Sequence, residues 1–276
     1  MADAPIERVR ARVLRVEPAQ DDASDERVSV EEPLEIRVHA KGEREPTRVA
    51  VTMRTPGHED ELAVGFLFTE GLIDGRDDLA RPAVRELSIA EGVNNVVTVR
   101  LDRAFDPSLL QRNFFATSSC GVCGKASIDQ VERAVTPITE RWSISRSIVA
   151  ELPSALRAAQ KQFDATGGLH ACALFRRDGE LELVREDVGR HNAMDKVIGR
   201  SVLAGRAPLV ESVMMVSGRI SFELVQKAAM AGVPLLCAVS APSSLAIRAA
   251  ERFGQTLVGF VRDGRCTVYS HASRVT

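Results

Sequence analysis

Two cysteines lie three residues apart in a short glycine-rich segment, residues 118–125, with the sequence SSCGVCGK. Cys120 and Cys123 are the two thiols, and Lys125 and two serines surround them. The thiolate is the reactive form of cysteine, and an ammonium group, hydroxyls and backbone N–H groups near it stabilise that form. The segment therefore predicts thiol chemistry. Three kinds fit a CxxC pair: zinc binding, dithiol oxidoreduction, and carriage of a sulfur atom as a persulfide.

The other cysteines and the histidines bear on zinc binding. A structural zinc site needs four ligands, commonly from a second CxxC or a pair of histidines. Cys172, Cys237 and Cys266 lie singly in apolar segments that predict strands, and the 5 histidines show no H-x3-5-H spacing. We therefore expect these three cysteines to be core residues and expect no structural metal.

The glycines of the segment bear on oxidoreduction. A thioredoxin-like dithiol lies in the first turn of a helix, but Gly121 and Gly124 each weaken a helix by ~1 kcal/mol relative to alanine. A glycine-padded loop is better suited to a thiol that accepts a sulfur atom and delivers it as a persulfide. A zinc-stabilised chaperone or binding module for another enzyme and a dithiol oxidoreductase remain the alternatives.

Three further segments follow predicted strands and open predicted helices. Residues 185–196 read REDVGRHNAMDK, residues 217–221 read SGRIS, and residues 240–244 read SAPSS. The amino end of a helix binds anions through free N–H groups, and α/β folds bind ligands at the carboxyl ends of strands. Ordinary helix capping would give the same residue types. The candidate binding residues are Gly189, Arg190, His191, Asn192, Ser217, Gly218, Arg219, Ser240, Pro242 and Ser243.

Arginines flank a predicted hairpin turn near the carboxyl terminus. Asp263 and Gly264 are the turn residues, and Arg262 and Arg265 stand on either side of them. If this hairpin faces the strand–helix joints, both arginines are placed to bind phosphate groups.

Composition excludes several classes of protein. The formal net charge of −2 and the single Trp and single Tyr argue against a nucleic-acid partner. The charged first fifteen residues resemble no secretory signal, and no apolar run is long enough for a membrane span. We therefore expect a cytoplasmic protein with no membrane partner, in a compartment that keeps thiols reduced.

The pattern of apolar residues predicts four parts. Residues 1–27 read as a flexible N-terminal arm, 28–112 as a small α+β domain, and 113–147 as the CxxC loop and a connection. Residues 148–276 read as an α/β domain that contains the candidate binding segments. Its near-continuous apolar strands alternate with helices predicted over 148–163, 191–206, 221–231 and 243–253, which indicates a sheet covered on both faces.

Local signals predict further features. The strands that begin near residue 28 are expected to break at Pro33, and a helix is expected to open at Thr55, with acidic residues in its first turn, and to end at Gly71. A short amphipathic helix is predicted over 128–135, and Asp178 and Gly179 predict a second hairpin turn.

The motifs taken together resemble one family, the formate dehydrogenase accessory sulfurtransferases or FdhD family. The resemblance covers residues 28–271 in one consistent order. It is carried by residues 54–67 (RTPGHEDELAVGFL), 119–124, 186–196, 217–219 and 240–243.

The resemblance implies more than the spacing does. It implies that the α/β domain is a cytidine-deaminase-like three-layer domain without that enzyme's zinc site, and that the protein is a homodimer. It implies that sulfur comes from a cysteine desulfurase and goes to the guanine dinucleotide form of the molybdenum cofactor (Mo-bis-molybdopterin guanine dinucleotide, bound as substrate), before insertion into formate dehydrogenase. Cys120 would carry the persulfide with Cys123 as its partner. The cofactor-binding stretch would be Phe260, Val261, Arg262, Asp263, Gly264 and Arg265.

Overall fold

The structure is a computed structural model of the 276-residue chain that describes residues 6–13, 22–87, 95–108 and 135–276. Cys120, Cys123 and the predicted helix that follows them lie outside these ranges, apart from its last residue, Val135. The described parts of the predicted arm form an antiparallel hairpin of β1 (Ile6–Val13) and β2 (Asp22–Ser29). The sequence pattern did not indicate this hairpin, because its strands are mostly charged and small residues.

A four-stranded sheet follows. It is built from β3 (Glu32–His39), β4 (Thr47–Arg54), β5 (Leu79–Leu87) and β6 (Val96–Leu101), in the order β4-β3-β6-β5. β3 is parallel to β6, and the other neighbours are antiparallel. Alternate residues of β3 are fully buried, as the period of two requires for a sheet with one covered face. Pro33 does not break the strand as predicted: it is the second residue of β3, and the chain leaves the strand conformation at residues 30 and 31.

Helix α1 (Glu59–Thr69) connects β4 with β5 and ends before Gly71, as the sequence predicts. A short 3-10 helix, Arg76–Asp78, precedes β5, and a second one, Ala272–Arg274, lies near the carboxyl terminus.

The larger sheet has six strands, in the order β12-β11-β10-β9-β7-β8. They are β7 (His170–Arg176), β8 (Leu181–Asp187), β9 (Ser212–Val216), β10 (Leu235–Ala238), β11 (Thr256–Arg262) and β12 (Arg265–Ser270). β9, β10 and β11 are parallel, and an antiparallel hairpin closes each edge. Both hairpins agree with the Asp-Gly turns of the sequence.

Five helices accompany this sheet: α2 (Arg146–Ala159), α3 (Lys161–Thr166), α4 (Arg190–Leu203), α5 (Phe222–Met230) and α6 (Ser244–Phe253). The single helix predicted over 148–163 is in fact two helices, because Gln160 leaves the helical conformation. None of the helices in the described ranges has the length and apolar content needed to cross a membrane.

Helices cover both faces of the six-stranded sheet, as predicted. Alternate residues of β7 show the two faces. Ala173 and Phe175 pack with Val149 and Leu152 of α2, whereas Leu174 belongs to the core formed with α4, α5 and α6. That second core is continuous with the inner face of the four-stranded sheet and with α1. The prediction that these layers are arranged as in cytidine deaminase stays a prediction.

Helices α1 and α4 touch at two glycines. A Cβ atom added to Gly65 would lie 1.9 Å from the backbone oxygen of Asp195, and one added to Gly199 would lie 1.8 Å from that of Glu61. Only glycine allows the two backbones to approach this closely. The crossing holds the smaller sheet and its helix against the middle of α4, the helix whose first turn belongs to a candidate binding segment.

Candidate functional site

The predicted strand–helix joints come together at one edge of the six-stranded sheet. The loop after β9 touches the start of β7, where the backbone N–H of Ala171 donates to Oγ of Ser217 at 2.8 Å. The same loop meets the loop after β10, where Ile220 N–H donates to the Ala241 carbonyl at 3.1 Å. Across to α4, Oγ of Ser221 is 3.4 Å from Nε2 of His191. The three joints therefore lie together at one edge of the sheet, and their role in ligand binding stays a prediction.

A cavity of about 470 Å³ opens beside the first turn of α4. Four of the predicted residues line it, with Val188 of the same segment. The other lining residues are two from β4, one from β7 and Glu31 between β2 and β3, none of which the sequence singled out. The lining residues are Glu31, Thr52, Met53, His170, Val188, Gly189, Arg190, His191 and Asn192. The cavity therefore has walls from both sheets.

A buried carboxylate supports the cavity from behind. Asp187, at the end of β8, is 0% exposed, and its Oδ2 is 2.7 Å from Nζ of Lys196, which is 1% exposed. Its Oδ1 accepts hydrogen bonds from the N–H of Gly189 at 2.9 Å and from Nδ2 of Asn192 at 3.1 Å. A buried charge is tolerated only when it is paired and hydrogen-bonded in this way. Asp187 thereby fixes the path of the segment that lines the cavity.

The segment of residues 54–67 is hydrogen-bonded to the same buried Asp187–Lys196 pair. The N–H of Thr55 donates to Oδ2 of Asp187 at 3.2 Å, its carbonyl accepts from Nζ of Lys196 at 2.9 Å, and its Oγ1 accepts from Val188 N–H at 3.1 Å. The carbonyl of Met53 accepts from Asn192 at 2.7 Å. The segment of residues 54–67 therefore helps to position the segment of residues 185–196.

Glu61 of α1 has a partner in the larger sheet. The sequence placed it among acidic residues that favour the amino end of a helix. Its carboxylate is buried and receives two hydrogen bonds from Arg185, from Nε at 2.5 Å and from Nη2 at 2.8 Å. Such a bidentate pair fixes both position and angle, so it fastens α1 to β8.

A second buried cluster joins α1, α4 and α5. Nζ of Lys227 donates to both oxygens of Asp195, at 3.0 and 2.9 Å, and to Thr69 Oγ1 at 2.8 Å. Burial raises the pKa of Asp195 to about 6, against the opposing effect of Lys227. Burial acts to lower the pKa of Lys227, but the carboxylates of Asp195 and Glu70 outweigh it and the pKa is raised. This cluster lies one helical turn below the cavity segment and stabilises the helix that carries it.

The positive charge of the site resides on arginines. Burial lowers the pKa of His170, and Arg190 and Arg219 lower it further. Burial also lowers the pKa of His191 to about 3, with Lys227, Arg190 and His170 adding to the effect. Both imidazoles are therefore neutral near pH 7. Within the described ranges, no carboxylate lies at ion-pair distance from Arg190 or Arg219, so both guanidinium groups are available to an anionic ligand.

The hairpin of residues 260–265 contacts the edge of this site through its first residue. Phe260, at φ 50°, donates its N–H to the Ser240 carbonyl at 3.2 Å. Arg262 stacks over the Phe260 ring at 5.5 Å from its centre, and Val261 is buried. The tip, with Asp263, Gly264 and Arg265, is exposed. No hydrogen bond or ion pair of the described residues joins Arg262 or Arg265 to the loops after β9 and β10.

Two predicted serines use their hydroxyl groups for structure. Ser243 caps α6 by accepting the N–H of Ala246 at 3.2 Å, and Ser217 accepts from Ala171. Gly218 lies where a Cβ would be 3.3 Å from Nδ1 of His170, and Pro242 forms a bridge with Ile220. These residues shape the site through packing and backbone contacts.

Of the three cysteines predicted to be core residues, two are fully buried and one is only partly buried. Cys172 and Cys237 are fully buried, and burial raises the pKa of each thiol. Cys266 is partly buried against the same core. Cys120 and Cys123 lie outside the described residues. In the part of the chain that is described, no group of three or more His, Cys, Asp or Glu side chains is arranged to hold a metal ion.

Fold and site together define a mixed α/β protein with a cavity beside the amino end of α4. The model of the FdhD/NarQ family matches residues 29–276, and the chain belongs to that family. The chain is 49% identical to a "Sulfur carrier protein FdhD" of Mycolicibacterium paratuberculosis, over 96% of this chain and 98% of the relative. It is 40% identical to a protein of the same name from the archaeon Sulfurisphaera tokodaii, over 96% and 98% of the two chains.

A solved structure shares the fold. It is that of a protein from Desulfotalea psychrophila assigned as a formate dehydrogenase accessory protein. The two chains superpose with a TM-score of 0.75 at 25% identity, and the match covers 98% of this chain and 99% of the other. The mixed α/β architecture described above is therefore common to both proteins.

Proposed function

We propose that this protein is a sulfurtransferase that carries sulfur as a persulfide on Cys120. It takes the sulfur from a cysteine desulfurase and transfers it to the guanine dinucleotide form of the molybdenum cofactor, before insertion into formate dehydrogenase. The observation that carries the proposal is the match, over 96% of the chain and at 49% identity, to a relative named as a sulfur carrier. The name of the solved neighbour supports formate dehydrogenase as the client.

Loading is a thiol–persulfide exchange. The Cys120 thiolate attacks the outer sulfur of the persulfide on the desulfurase, the S–S bond of that persulfide breaks, and a new S–S bond forms on Cys120. The desulfurase cysteine leaves as a thiolate, so the oxidising equivalents move with the sulfur atom and the exchange needs no outside oxidant or reductant. Thiolate attack of this kind requires an accessible sulfur of adequate nucleophilicity. The buried thiols of Cys172 and Cys237 meet neither condition.

Delivery needs two electrons, which Cys123 can supply. Its thiolate attacks the inner sulfur of the persulfide, a Cys120–Cys123 disulfide forms, and the outer sulfur leaves as HS⁻ for the substrate. The sulfane sulfur is reduced to sulfide while the two thiol sulfurs are oxidised. A dithiol reductant then returns the pair to the reduced state.

The cavity beside α4 is the place we propose for a phosphate-bearing part of the substrate. Its volume of about 470 Å³ lies within the range of small-molecule sites, about 300–1,000 Å³. It is too small for the whole dinucleotide cofactor, so only part of the substrate would lie in it. Arg190 and the amino end of α4 supply positive charge to the cavity, and Glu31 is the carboxylate in its lining. Arg219 lies near enough to His170 to lower its pKa, and Gly189 and Gly218 lie where a side chain would crowd neighbouring groups.

The remaining parts of the proposal concern the cellular compartment and the oligomeric state of the protein. We propose a cytoplasmic protein, since its free CxxC thiols need a reducing compartment to stay active. We propose a homodimer on the resemblance to the family alone.

The experiment is activation of formate dehydrogenase in a bacterial strain that lacks its own member of the family. We expect the wild-type chain to restore activity, Cys120→Ala to abolish it, and Cys123→Ala to lower it. Cys266→Ala is the matched control, because Cys266 is a partly buried thiol of the core. Full activity with Cys120→Ala would disprove persulfide carriage on this residue.

A further inference from the structure

A carboxylate of α5 supports the cavity segment from the far side of His191. Oε2 of Glu223, in the first turn of α5, is 3.1 Å from Nδ1 of His191. On the opposite edge of the ring, Nε2 of His191 is 3.3 Å from Nε of Arg190 and 3.4 Å from Oγ of Ser221. No sequence pattern indicated Glu223, and the proposed sulfur transfer assigns it no role.

The contacts determine which ring nitrogen carries the proton. A neutral imidazole has one N–H and one lone pair, and an ionised carboxylate can only accept. Beside the Glu223 carboxylate a proton on Nδ1 is therefore the favoured state, and it leaves the lone pair on Nε2. That lone pair accepts the Nε–H of Arg190. In the other tautomer two acceptors would face each other at Nδ1, and two N–H groups would face each other at Nε2.

The surroundings keep His191 neutral. Burial is the main cause of its lowered pKa, and Lys227 of α5, Arg190 beside it and His170 of β7 oppose a positive charge there. Burial raises the pKa of Glu223, while Lys227 and Arg190 act to lower it and Glu70 acts to raise it. A neutral imidazole beside a carboxylate is the state in which the ring can accept from Arg190.

We propose that Glu223 is a positioning residue: by fixing the tautomer of His191, it holds the Arg190 guanidinium in the cavity with its terminal N–H groups directed to an anionic ligand. No carboxylate of the described residues pairs with Arg190, so His191 is the group that restrains its side chain. The inference rests on the proposed function for the nature of the ligand, whereas the tautomer is a property of the protein itself.

The test uses the full chain, two variants and a matched control. Glu223→Ala removes the acceptor, and Glu223→Gln keeps an oxygen that can accept the Nδ1 proton. Glu251→Ala is the control, because Glu251 also lies 3.1 Å from a histidine, His271, but at the exposed carboxyl end of α6. Long-range ¹H–¹⁵N spectra of the imidazoles give the tautomer of His191, assigned by its loss in His191→Gln. Titration calorimetry with GDP gives affinity.

The proposal predicts an Nδ1–H tautomer in the wild type and in Glu223→Gln, and a raised share of the Nε2–H tautomer in Glu223→Ala, where Arg190 alone still favours Nδ1–H. It predicts GDP binding about tenfold weaker in Glu223→Ala, the size of one hydrogen bond to a charged group, and within about threefold of wild type in Glu223→Gln and in the control. An Nε2–H tautomer in the wild type, or an unchanged tautomer ratio in Glu223→Ala, would overturn the proposal. A changed ratio with unchanged GDP affinity would refute the link to Arg190. Absence of GDP binding by the wild type would contradict the proposed function instead, and the spectra would still decide the tautomer.

Discussion

Removal of the charge at Asp187 should destabilise the protein severely. Asp187→Asn preserves the size of the side chain, but it leaves the ammonium group of Lys196 buried without a counter-charge. The new amide also has only one acceptor oxygen, where the carboxylate accepts from Lys196, Thr55, Gly189 and Asn192. Breaking a buried pair by removing one partner costs about 3–5 kcal/mol. Since whole domains are stable by about 5–15 kcal/mol, this is a large fraction of the total.

Guanidinium chloride unfolding, followed by circular dichroism, measures the loss. Asp102→Asn is the matched control, because Asp102 pairs with Lys41 at 2.8 Å on the exposed surface and should change the midpoint little. The double variant Asp187→Asn with Lys196→Met removes both partners and should recover much of the lost stability. A loss below about 1 kcal/mol in Asp187→Asn, or no recovery in the double variant, would refute the reasoning.

Three further predictions concern the helix crossing, the buried histidine and the arginines. Gly199→Ala should cost about 3 kcal/mol or more in thermal or denaturant unfolding, because the new Cβ meets the Glu61 backbone, whereas Gly75→Ala meets nothing within 4 Å and should be neutral. The folded pKa of His191, about 3, lies below the unfolded value of 6.5, so its contribution to stability is complete above pH 6.5 and is lost as pH falls toward 3. Of the free energy of unfolding that is lost between about pH 7 and about pH 5, His191 should account for about 1–2 kcal/mol. His191→Gln should remove that part of the loss, and an unchanged pH profile of stability in this variant would contradict the prediction. Arg219→Ala should weaken GDP binding about tenfold and reduce its salt dependence, while Arg200→Ala, at the other end of α4, should do neither.

The sequence predicted the features that depend on local pattern. The strands of the six-stranded sheet could be predicted because their apolar residues are continuous. The joints after them could be predicted because glycine, serine and proline mark the change from strand to helix. The segment around Gly189 is the best example, since the strand end, the turn and the helix start are consecutive in the chain. Because α/β folds bind ligands at the carboxyl ends of their strands, such joints indicate which edge of the sheet carries the candidate binding segments.

Features that depend on long-range packing were missed for a physical reason. His170 reaches the cavity only because β7 pairs antiparallel with β9, and Glu223 reaches His191 only because α5 packs beside α4. Asp195 and Lys227 carry charges that a sequence pattern assigns to the surface, yet their pairing allows both to be buried. No neighbouring residue in the chain signals these contacts.

The most direct test of sulfur carriage is the mass of Cys120 after loading. The protein is incubated with a cysteine desulfurase and L-cysteine, alkylated, digested and analysed by tandem mass spectrometry. The account predicts a gain of one sulfur atom on the peptide containing Cys120, absent from Cys120→Ala and absent from the peptides of Cys172, Cys237 and Cys266. An unmodified Cys120 beside a sulfur atom mapped to any of the other three cysteines would contradict it.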